Sequence, residues 1–278
     1  MTVLSAIDFE APGSDQQFVE SLQSTGFGVL KNHPLDKPLI RSIYAHWAEF
    51  FASGDAAAYA VDRENQDGFF SMANAESAKG QTRQDLKEYF HFYPWGRCPP
   101  ELRDELMQYY ESAHVFAATL LSWIEQYSPK SIAESYSEPL SHMIEGSEVT
   151  LLRILHYPRI SGPVSATRAA PHEDINLITI LPMSSADGLE VVDGNDQWIP
   201  VPADFDHVVI NIGDMLQEAT AGHFPSTTHR VVNPEDADMS VSRMSLPLFL
   251  HPRPDVVLSA LYTAKSYLDE RLHELGVA

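Results

Sequence analysis

Apolar residues recur at intervals of three and four through most of the first half of the chain, a spacing typical of amphipathic helices. A first helix is predicted to begin at Ser14 and to end near Gly26. A second follows a cap at Asp36, and a long one opens at Pro99-Pro100. A further short helix is expected over 131–144. The first half is therefore predicted to be mainly helical.

From about Glu148 the period changes to two, and short β-rich runs alternate with Gly, Pro, Asp and Asn. The predicted strands are Val149–Leu155, Ile175–Leu181, Leu189–Val192, Trp198–Val201, His207–Ile212, His229–Val232 and Val241–Leu250. Short strands at this spacing indicate a sandwich or jelly roll. We therefore expect a mainly β fold with flanking helices.

No linker rich in Pro, Gly or Ser separates the two halves, which favours a single domain over residues 1–278. Within it, we expect a helix-rich N-terminal region over 1–147 and a β-roll core over 148–254. The remaining segment, 255–278, is predicted to form a C-terminal helix, roughly from Thr263 to Leu275. The polar stretch 53–84 is expected to be irregular.

Composition narrows the function classes. With 18 Lys and Arg against 39 Asp and Glu, the formal charge is −21, which argues against nucleic acid and against anionic membrane surfaces as partners. No apolar run approaches the ~20 residues of a membrane span, and no signal peptide is evident. A single cysteine, Cys98, excludes an intrachain disulfide and a multi-cysteine metal site. A cytoplasmic location is expected.

The most informative triplet is His172-Glu173-Asp174. On a strand, side chains alternate between the faces, so His172 and Asp174 would point the same way and Glu173 the opposite way. His229, at the start of a later strand, is the best candidate for a third ligand. Two imidazoles and a carboxylate suit a non-haem Fe(II) site with open positions, and would also suit zinc. By chance alone, H-x-D triplets are common.

A second group lies in the segment that begins Arg243-Met244-Ser245. Period two places Arg243 and Ser245 on one face, followed by Pro247, Phe249 and His251, with an apolar face opposite. A guanidinium beside a hydroxyl would bind a carboxylate well. The alternative is an internal ion pair.

The order of these patterns resembles the iron- and 2-oxoglutarate-dependent dioxygenase superfamily, in its isopenicillin N synthase-like branch. The matching residues, in chain order, are Gly26-Phe27 to Asn32-His33, Asp85 to Phe90, Leu152-Arg153, Tyr157-Pro158, His172/Asp174, Gly188-Leu189, Trp198, Asn211/Gly213-Asp214, Gly222, Ser226-Thr227, His229-Arg230-Val231, Arg243/Ser245, Pro247 and Phe249. They extend over about residues 5–255. Leu155 departs from the pattern, because the branch often has Asn there.

The resemblance implies a double-stranded β-helix with Fe(II) held by His172, Asp174 and His229. It also implies that Arg243 and Ser245, helped by Tyr157, bind the distal carboxylate of 2-oxoglutarate, the co-substrate used with O2. The expected activity is a non-haem iron oxygenase that oxidises a small organic substrate and releases succinate and CO2. The oligomeric state is not predicted.

The substrate pocket is less clearly indicated by the sequence. Its candidate residues are Phe69, Phe70, Phe224, Phe249 and His251, for each of which core packing is the alternative. Three other functions remain open: an iron oxidase of the same fold that binds its substrate's own carboxylate through Arg243 and Ser245 and uses no 2-oxoglutarate, a binding or sensing module, and a zinc hydrolase.

Overall fold

The structure is a computed structural model that describes residues 4–72, 87–159, 168–182, 184, 188–194, 196–201, 204–232 and 242–275. Residues 73–84 of the predicted irregular stretch lie outside these ranges. Before that point the stretch contains a 3-10 turn, Asp55–Tyr59, and a short strand.

The helices of the described residues are α1 Ser14–Thr25, α2 Lys37–Ser53, α3 Pro100–Tyr127, α4 Lys130–Ala133, α5 Leu140–Met143, α6 Asp214–Ala219 and α7 Ala264–Leu275. Of these, α1, α2, α3 and α7 begin and end close to the predicted positions, whereas α6 is not predicted. The side chain of Asp36 caps α2 by accepting a hydrogen bond from the backbone N–H of Leu39.

The prediction of one short helix over 131–144 is wrong. The segment forms two single-turn helices, α4 and α5, each of which directly follows a proline, Pro129 and Pro139. A proline lacks the amide hydrogen that a continuing helix needs and disfavours helical geometry in the residue before it, so one helix cannot run through Pro139, and α5 begins directly after it.

The strands of the described residues form two sheets. The bounds are β1 Ala6–Asp8, β2 Phe27–Lys31, β3 Gly68–Phe70, β4 Glu88–Phe92, β5 Leu151–Tyr157, β6 Ala169–His172, β7 Ile178–Pro182, β8 Leu189–Val192, β9 Trp198–Pro200, β10 His207–Ile212, β11 His229–Val231, β12 Arg243–Ser245 and β13 Leu248–Leu250. A nine-stranded large sheet runs in the order β1-β2-β10-β7-β13-β5-β4-β3, with β12 also paired to β5, and a four-stranded small sheet runs β6-β11-β8-β9.

The predicted strand over Val241–Leu250 divides into β12 and β13. Pro247 lies in the break, where it has no N–H to contribute to a ladder, while its carbonyl accepts from the backbone N–H of Arg153. The predicted alternation nevertheless holds. Met244 and the three leucines that follow it at every second position, Leu246, Leu248 and Leu250, belong to the main core, whereas Arg243, Ser245, Pro247 and Phe249 line a pocket on the other face.

The molecule has three layers. Apolar residues of α1, α2, α3 and α5 pack with the outer face of the large sheet in one continuous core. A second cluster joins the inner face of the large sheet, through Phe27, Val29 and Val209, to the small sheet, through Leu189 and Val191. This confirms a mainly β fold with flanking helices, and it places the pocket between the two sheets. The division into three regions within one domain stays a prediction. Among the described residues, no helix combines the length and hydropathy that a bilayer-spanning segment requires.

Candidate metal and co-substrate site

The structure brings His172, Asp174 and His229 together at the pocket between the sheets. His172 and His229 are direct register partners in the antiparallel pair formed by β6 and β11, and their ring centroids are 4.3 Å apart. One ligand atom from each of the three residues lies within 4.8 Å of the other two. Residues separated by more than fifty positions in the chain thus form one compact donor set.

Both imidazoles are oriented by backbone carbonyl groups close in sequence. Nδ1 of His172 lies 2.8 Å from the carbonyl oxygen of Ala170, and Nδ1 of His229 lies 3.2 Å from that of Thr227. Because a carbonyl can only accept, each Nδ1 is the protonated nitrogen, which leaves Nε2 as the atom that can bind a metal ion. Burial and the nearby His229 lower the pKa of His172 to about 3, so its ring is neutral near neutral pH.

Asp174 lies just beyond the end of β6, rather than on the strand as the alternation argument assumed. Its carboxylate is instead held by the large sheet, since Oδ2 accepts hydrogen bonds from Thr179 Oγ1 at 2.6 Å and Asn211 Nδ2 at 2.8 Å. Oδ1 lies 3.8 Å from His229 Nε2. Burial raises the pKa of Asp174, but the two histidines and the two hydrogen bonds outweigh it and lower the pKa.

Glu173 is directed away from the donor set, as the alternation predicts. Its carboxylate accepts a 2.6 Å hydrogen bond from the hydroxyl of Thr228, the neighbour of His229, at an exposed position. The end of α1 lies close to Thr227, the residue before Thr228. Gly26 there has φ 71°, and a Cβ on it would lie 2.3 Å from Thr227 Oγ1. The close approach of Gly26 to Thr227 therefore requires glycine, beside the Thr227 carbonyl that orients His229.

The predicted carboxylate-binding residues line the same pocket. Arg243 and Ser245 are 3% and 5% exposed, and β12 pairs with β5 so that Arg243 lies opposite Tyr157. Arg243 Nε donates to Ser184 Oγ at 2.9 Å, and its guanidinium carbon lies 5.5 Å from the centre of the Tyr157 ring. A buried guanidinium, a hydroxyl and a phenol are thus assembled at one end of the pocket.

The aromatic candidates for the substrate pocket separate into two groups. Phe249 lines the pocket. Phe224 is fully buried in the main core, Phe69 packs against that core, and Phe70 stacks on Tyr89 at 4.7 Å between ring centroids. These three and His251 are absent from the described lining. The three phenylalanines are turned toward other apolar side chains, and His251 lies beyond the end of β13.

Several residues of this pocket are not predicted as site residues by the sequence. Asn211, Lys87 and Arg153 lie in segments that match the family pattern, and all three line the pocket. Arg168 is absent from the described lining, but it lies close by: it is 4% exposed, its guanidinium carbon is 5.7 Å from the Tyr157 ring, and burial lowers its pKa. Leu155, at the position where the branch often has Asn, faces the pocket and is apolar. Period two along β5 places Arg153 and Leu155 on the same face as Tyr157, whereas Lys87 precedes β4 and has no such signal.

Family models match both halves of the chain. The 2OG-Fe(II) oxygenase superfamily model matches residues 148–252, and the model for the N-terminal region of non-haem dioxygenases in morphine synthesis matches residues 4–112. The proline hydroxylase buaE of Petromyces alliaceus is 31% identical over 92% of this chain and 88% of its own length. A 2-oxoglutarate-dependent dioxygenase of Didymella fabae is 26% identical over 89% of this chain and 83% of its own.

Solved structures of oxygenases are also similar to this chain. A putative oxygenase from Shewanella oneidensis is 54% identical, with a TM-score of 0.92 over 100% of both chains. A full-length Neurospora crassa protein, crystallised in complex with alpha-KG, superposes with a TM-score of 0.78 over 98% of this chain and 96% of its own; at 21% identity this similarity concerns the fold alone.

The chain therefore belongs to the Fe(II)- and 2-oxoglutarate-dependent oxygenase superfamily. It is an enzyme, a non-haem iron dioxygenase that uses Fe(II) and 2-oxoglutarate and acts on a small organic substrate. The iron oxidase that would use no 2-oxoglutarate is not favoured by these relatives.

Proposed function

We propose that His172, Asp174 and His229 hold the Fe(II) ion of this oxygenase. The observation that carries the proposal is the convergence of their ligand atoms within 4.8 Å at the pocket. Two ligands each about 2.1 Å from one ion lie within about 4.2 Å of each other. His229 Nε2 and Asp174 Oδ1 meet this limit at 3.8 Å, and the whole set, within 4.8 Å, has to contract by at most about 0.6 Å when an ion binds. Two neutral imidazoles and one carboxylate are also the donor types that non-haem Fe(II) sites use.

The second part of the proposal assigns the distal carboxylate of 2-oxoglutarate to Arg243, Ser245 and Tyr157. A guanidinium almost inaccessible to solvent gains most from a carboxylate that enters the same pocket, because charge-assisted hydrogen bonds strengthen where water is excluded. The hydrogen bond from Arg243 to Ser184 and the neighbouring Tyr157 ring hold the guanidinium in place before the co-substrate binds.

When bound, Fe(II) with 2-oxoglutarate and O2 supplies the oxidising chemistry. The protein's residues position the reactants and exclude water. Asn211 and Thr179 fix the carboxylate of Asp174, the carbonyls of Ala170 and Thr227 fix the two rings, and the apolar lining limits access of water. We further propose oxidation of a small organic molecule in the cytoplasm, in line with the single cysteine.

The assignment of the iron ligands is tested by substituting one of them. His229→Ala should lose stoichiometric Fe(II), measured after anaerobic dialysis, and with it the formation of succinate from 2-oxoglutarate and O2. The matched control is His223→Ala, since His223 is a half-buried histidine six positions earlier that contacts Phe224 and does not line the pocket. It should keep both properties.

Retention of one Fe(II) per chain by His229→Ala would contradict the ligand assignment. O2 consumption by the wild type that proceeds fully without 2-oxoglutarate would contradict the proposed role of Arg243 and Ser245 in binding that co-substrate.

A further inference from the structure

The residues of the donor set depend on two different sheets. His172 lies on β6 and His229 on β11, which are paired in the small sheet. The carboxylate of Asp174 is held instead by Thr179 and Asn211 of the large sheet. The spacing between His229 and Asp174 therefore depends on how the segments that carry them are held together beside the donor set.

The short helix α6 is attached to the backbone that begins at Asp174. The N–H of Asp214, the first residue of α6, donates to the carbonyl of Asp174 at 2.7 Å. The N–H of Gly213, directly before the helix, donates to the carbonyl of Leu177 at 2.9 Å. The first N–H groups of a helix have no partner within it, so these bonds satisfy them and fix α6 relative to Asp174.

The same helix reaches the segment that carries His229 through the side chain of Gln217. Its Oε1 accepts a 2.8 Å hydrogen bond from the backbone N–H of Ser226. The next residue, Thr227, supplies the carbonyl that orients the ring of His229, with 3.2 Å between Nδ1 and the carbonyl oxygen. Gln217 thus connects α6 to the backbone directly before that carbonyl.

The turn between α6 and Ser226 is also fixed by contacts that do not involve the Gln217 side chain. The N–H of Gly222 donates to the backbone carbonyl of Gln217 at 2.8 Å, and Gly222 has φ 80°, a conformation that favours glycine. The side chain of Phe224 is fully buried in the main core. Replacing the Gln217 side chain should therefore leave the fold intact and alter the position of the segment before His229.

We propose that Gln217 is a positioning residue for the metal centre. It fixes the backbone of Ser226 and Thr227 and, through the Thr227 carbonyl, the direction in which His229 presents Nε2. It acts without contact with the ion, since it is absent from the described lining of the pocket. The inference rests on the proposed function, because it assumes that His229 binds the ion, and it names a residue that sets the 3.8 Å between His229 Nε2 and Asp174 Oδ1.

The experiment compares full-length variants at position 217. Gln217→Met keeps the length of the side chain and removes the acceptor, whereas Gln217→Glu keeps an acceptor oxygen in either protonation state. The affinity for Fe(II) is measured under anaerobic conditions by competition with a chelator. The geometry of the site is followed by the visible absorption of the protein loaded with Co(II), whose bands depend on the arrangement of its ligands.

We expect the Kd of Fe(II) to rise about three- to tenfold in Gln217→Met. Loss of a group bonded directly to a metal ligand lowers metal affinity by about 10- to 100-fold, and Gln217 acts one step further out. The Co(II) bands should shift in Gln217→Met and return to their wild-type positions in Gln217→Glu. Rescue is judged by the spectrum, because the added charge of the glutamate can by itself strengthen the binding of a cation.

Two controls separate this role from a general disturbance of the protein. Gln16→Met removes an amide that bonds Glu20 within α1, at an exposed position. Arg230→Ala changes β11 directly beside His229, but Arg230 pairs with Glu190 and is absent from the described lining of the pocket. Both variants should keep the wild-type affinity for Fe(II) and the wild-type Co(II) bands.

Three results overturn the proposal: a Kd of Fe(II) in Gln217→Met equal to that of the wild type, unchanged Co(II) bands in that variant, or bands in Gln217→Glu that stay where Gln217→Met has them. If thermal unfolding shows that Gln217→Met does not fold, Gln217→Asn takes its place, because it keeps an amide that is too short to reach Ser226, and the same outcomes decide. Failure of the wild type to bind one Fe(II) per chain counts against the proposed function instead.

Discussion

The metal side and the Arg243 side of the pocket are built in different ways. On the metal side, each imidazole is oriented by a carbonyl two residues away, Ala170 for His172 and Thr227 for His229. On the other side, the guanidinium of Arg243 is fixed by Ser184, 59 positions distant, on the chain segment after β7. The metal side depends on local backbone geometry, whereas the Arg243 side depends on the packing of the large sheet.

This difference separates what each substitution is expected to disturb. Substitutions on the Arg243 side should weaken the binding of 2-oxoglutarate and leave the binding of the metal ion unchanged. Asp174 is the exception on the metal side, because its orientation also depends on the large sheet, through Thr179 on β7 and Asn211 on β10. A substitution at either position should therefore weaken metal binding from a distance.

The largest effect is expected for Arg243→Ala. Breaking a buried pair between a guanidinium and a carboxylate costs about 2–5 kcal/mol, which corresponds to an increase of about thirtyfold or more in the Kd of 2-oxoglutarate. Calorimetry with the Zn(II)-loaded protein measures it, and the affinity for Zn(II) itself should not change. Arg230→Ala is the control. An unchanged Kd would show that Arg243 does not bind the co-substrate.

A smaller effect is expected for Asn211→Ala. It removes one of the two hydrogen bonds to Asp174 Oδ2, and loss of such an outer partner lowers metal affinity by about tenfold. Competition with a chelator measures the affinity for Fe(II) under anaerobic conditions. Thr228→Val, which removes a hydroxyl bonded to the outward Glu173, is the control and should retain wild-type affinity. Equal affinities in wild type and Asn211→Ala would mean that Thr179 alone fixes the carboxylate.

The sequence predicts the metal side of the pocket better than the rest of it. Leu189–Val192 and His207–Ile212 are strands with the predicted bounds, because each is an uninterrupted β-rich run between turn residues. The triplet at His172 was informative for the same local reason. The side chain of Asp174, however, turns toward the pocket after β6 has ended, and its direction is set by Asn211, 37 positions away.

The remaining pocket residues illustrate why the sequence was insufficient. Charge alone does not distinguish Arg153 from the arginines on the surface, and only the pairing of β4 with β5 places it beside His91. Phe224 and Phe249 are equally apolar, yet the first is in the main core and the second in the pocket. Which face an aromatic ring occupies depends on sheet register, which contacts distant in sequence determine.

No effect on activity is expected for Cys98→Ser. Cys98 packs against the main core and is absent from the described lining of the pocket, and burial raises the pKa of its thiol to about 12. The thiol therefore stays protonated at pH 8, where a thiolate would be needed for reaction with iodoacetamide. We expect slow alkylation of the folded protein, fast alkylation in denaturant, and succinate formation by Cys98→Ser at the wild-type rate. Rapid alkylation of the native enzyme, accompanied by loss of activity, would contradict this prediction. It would show that a residue outside both the metal side and the Arg243 side of the pocket is needed for activity.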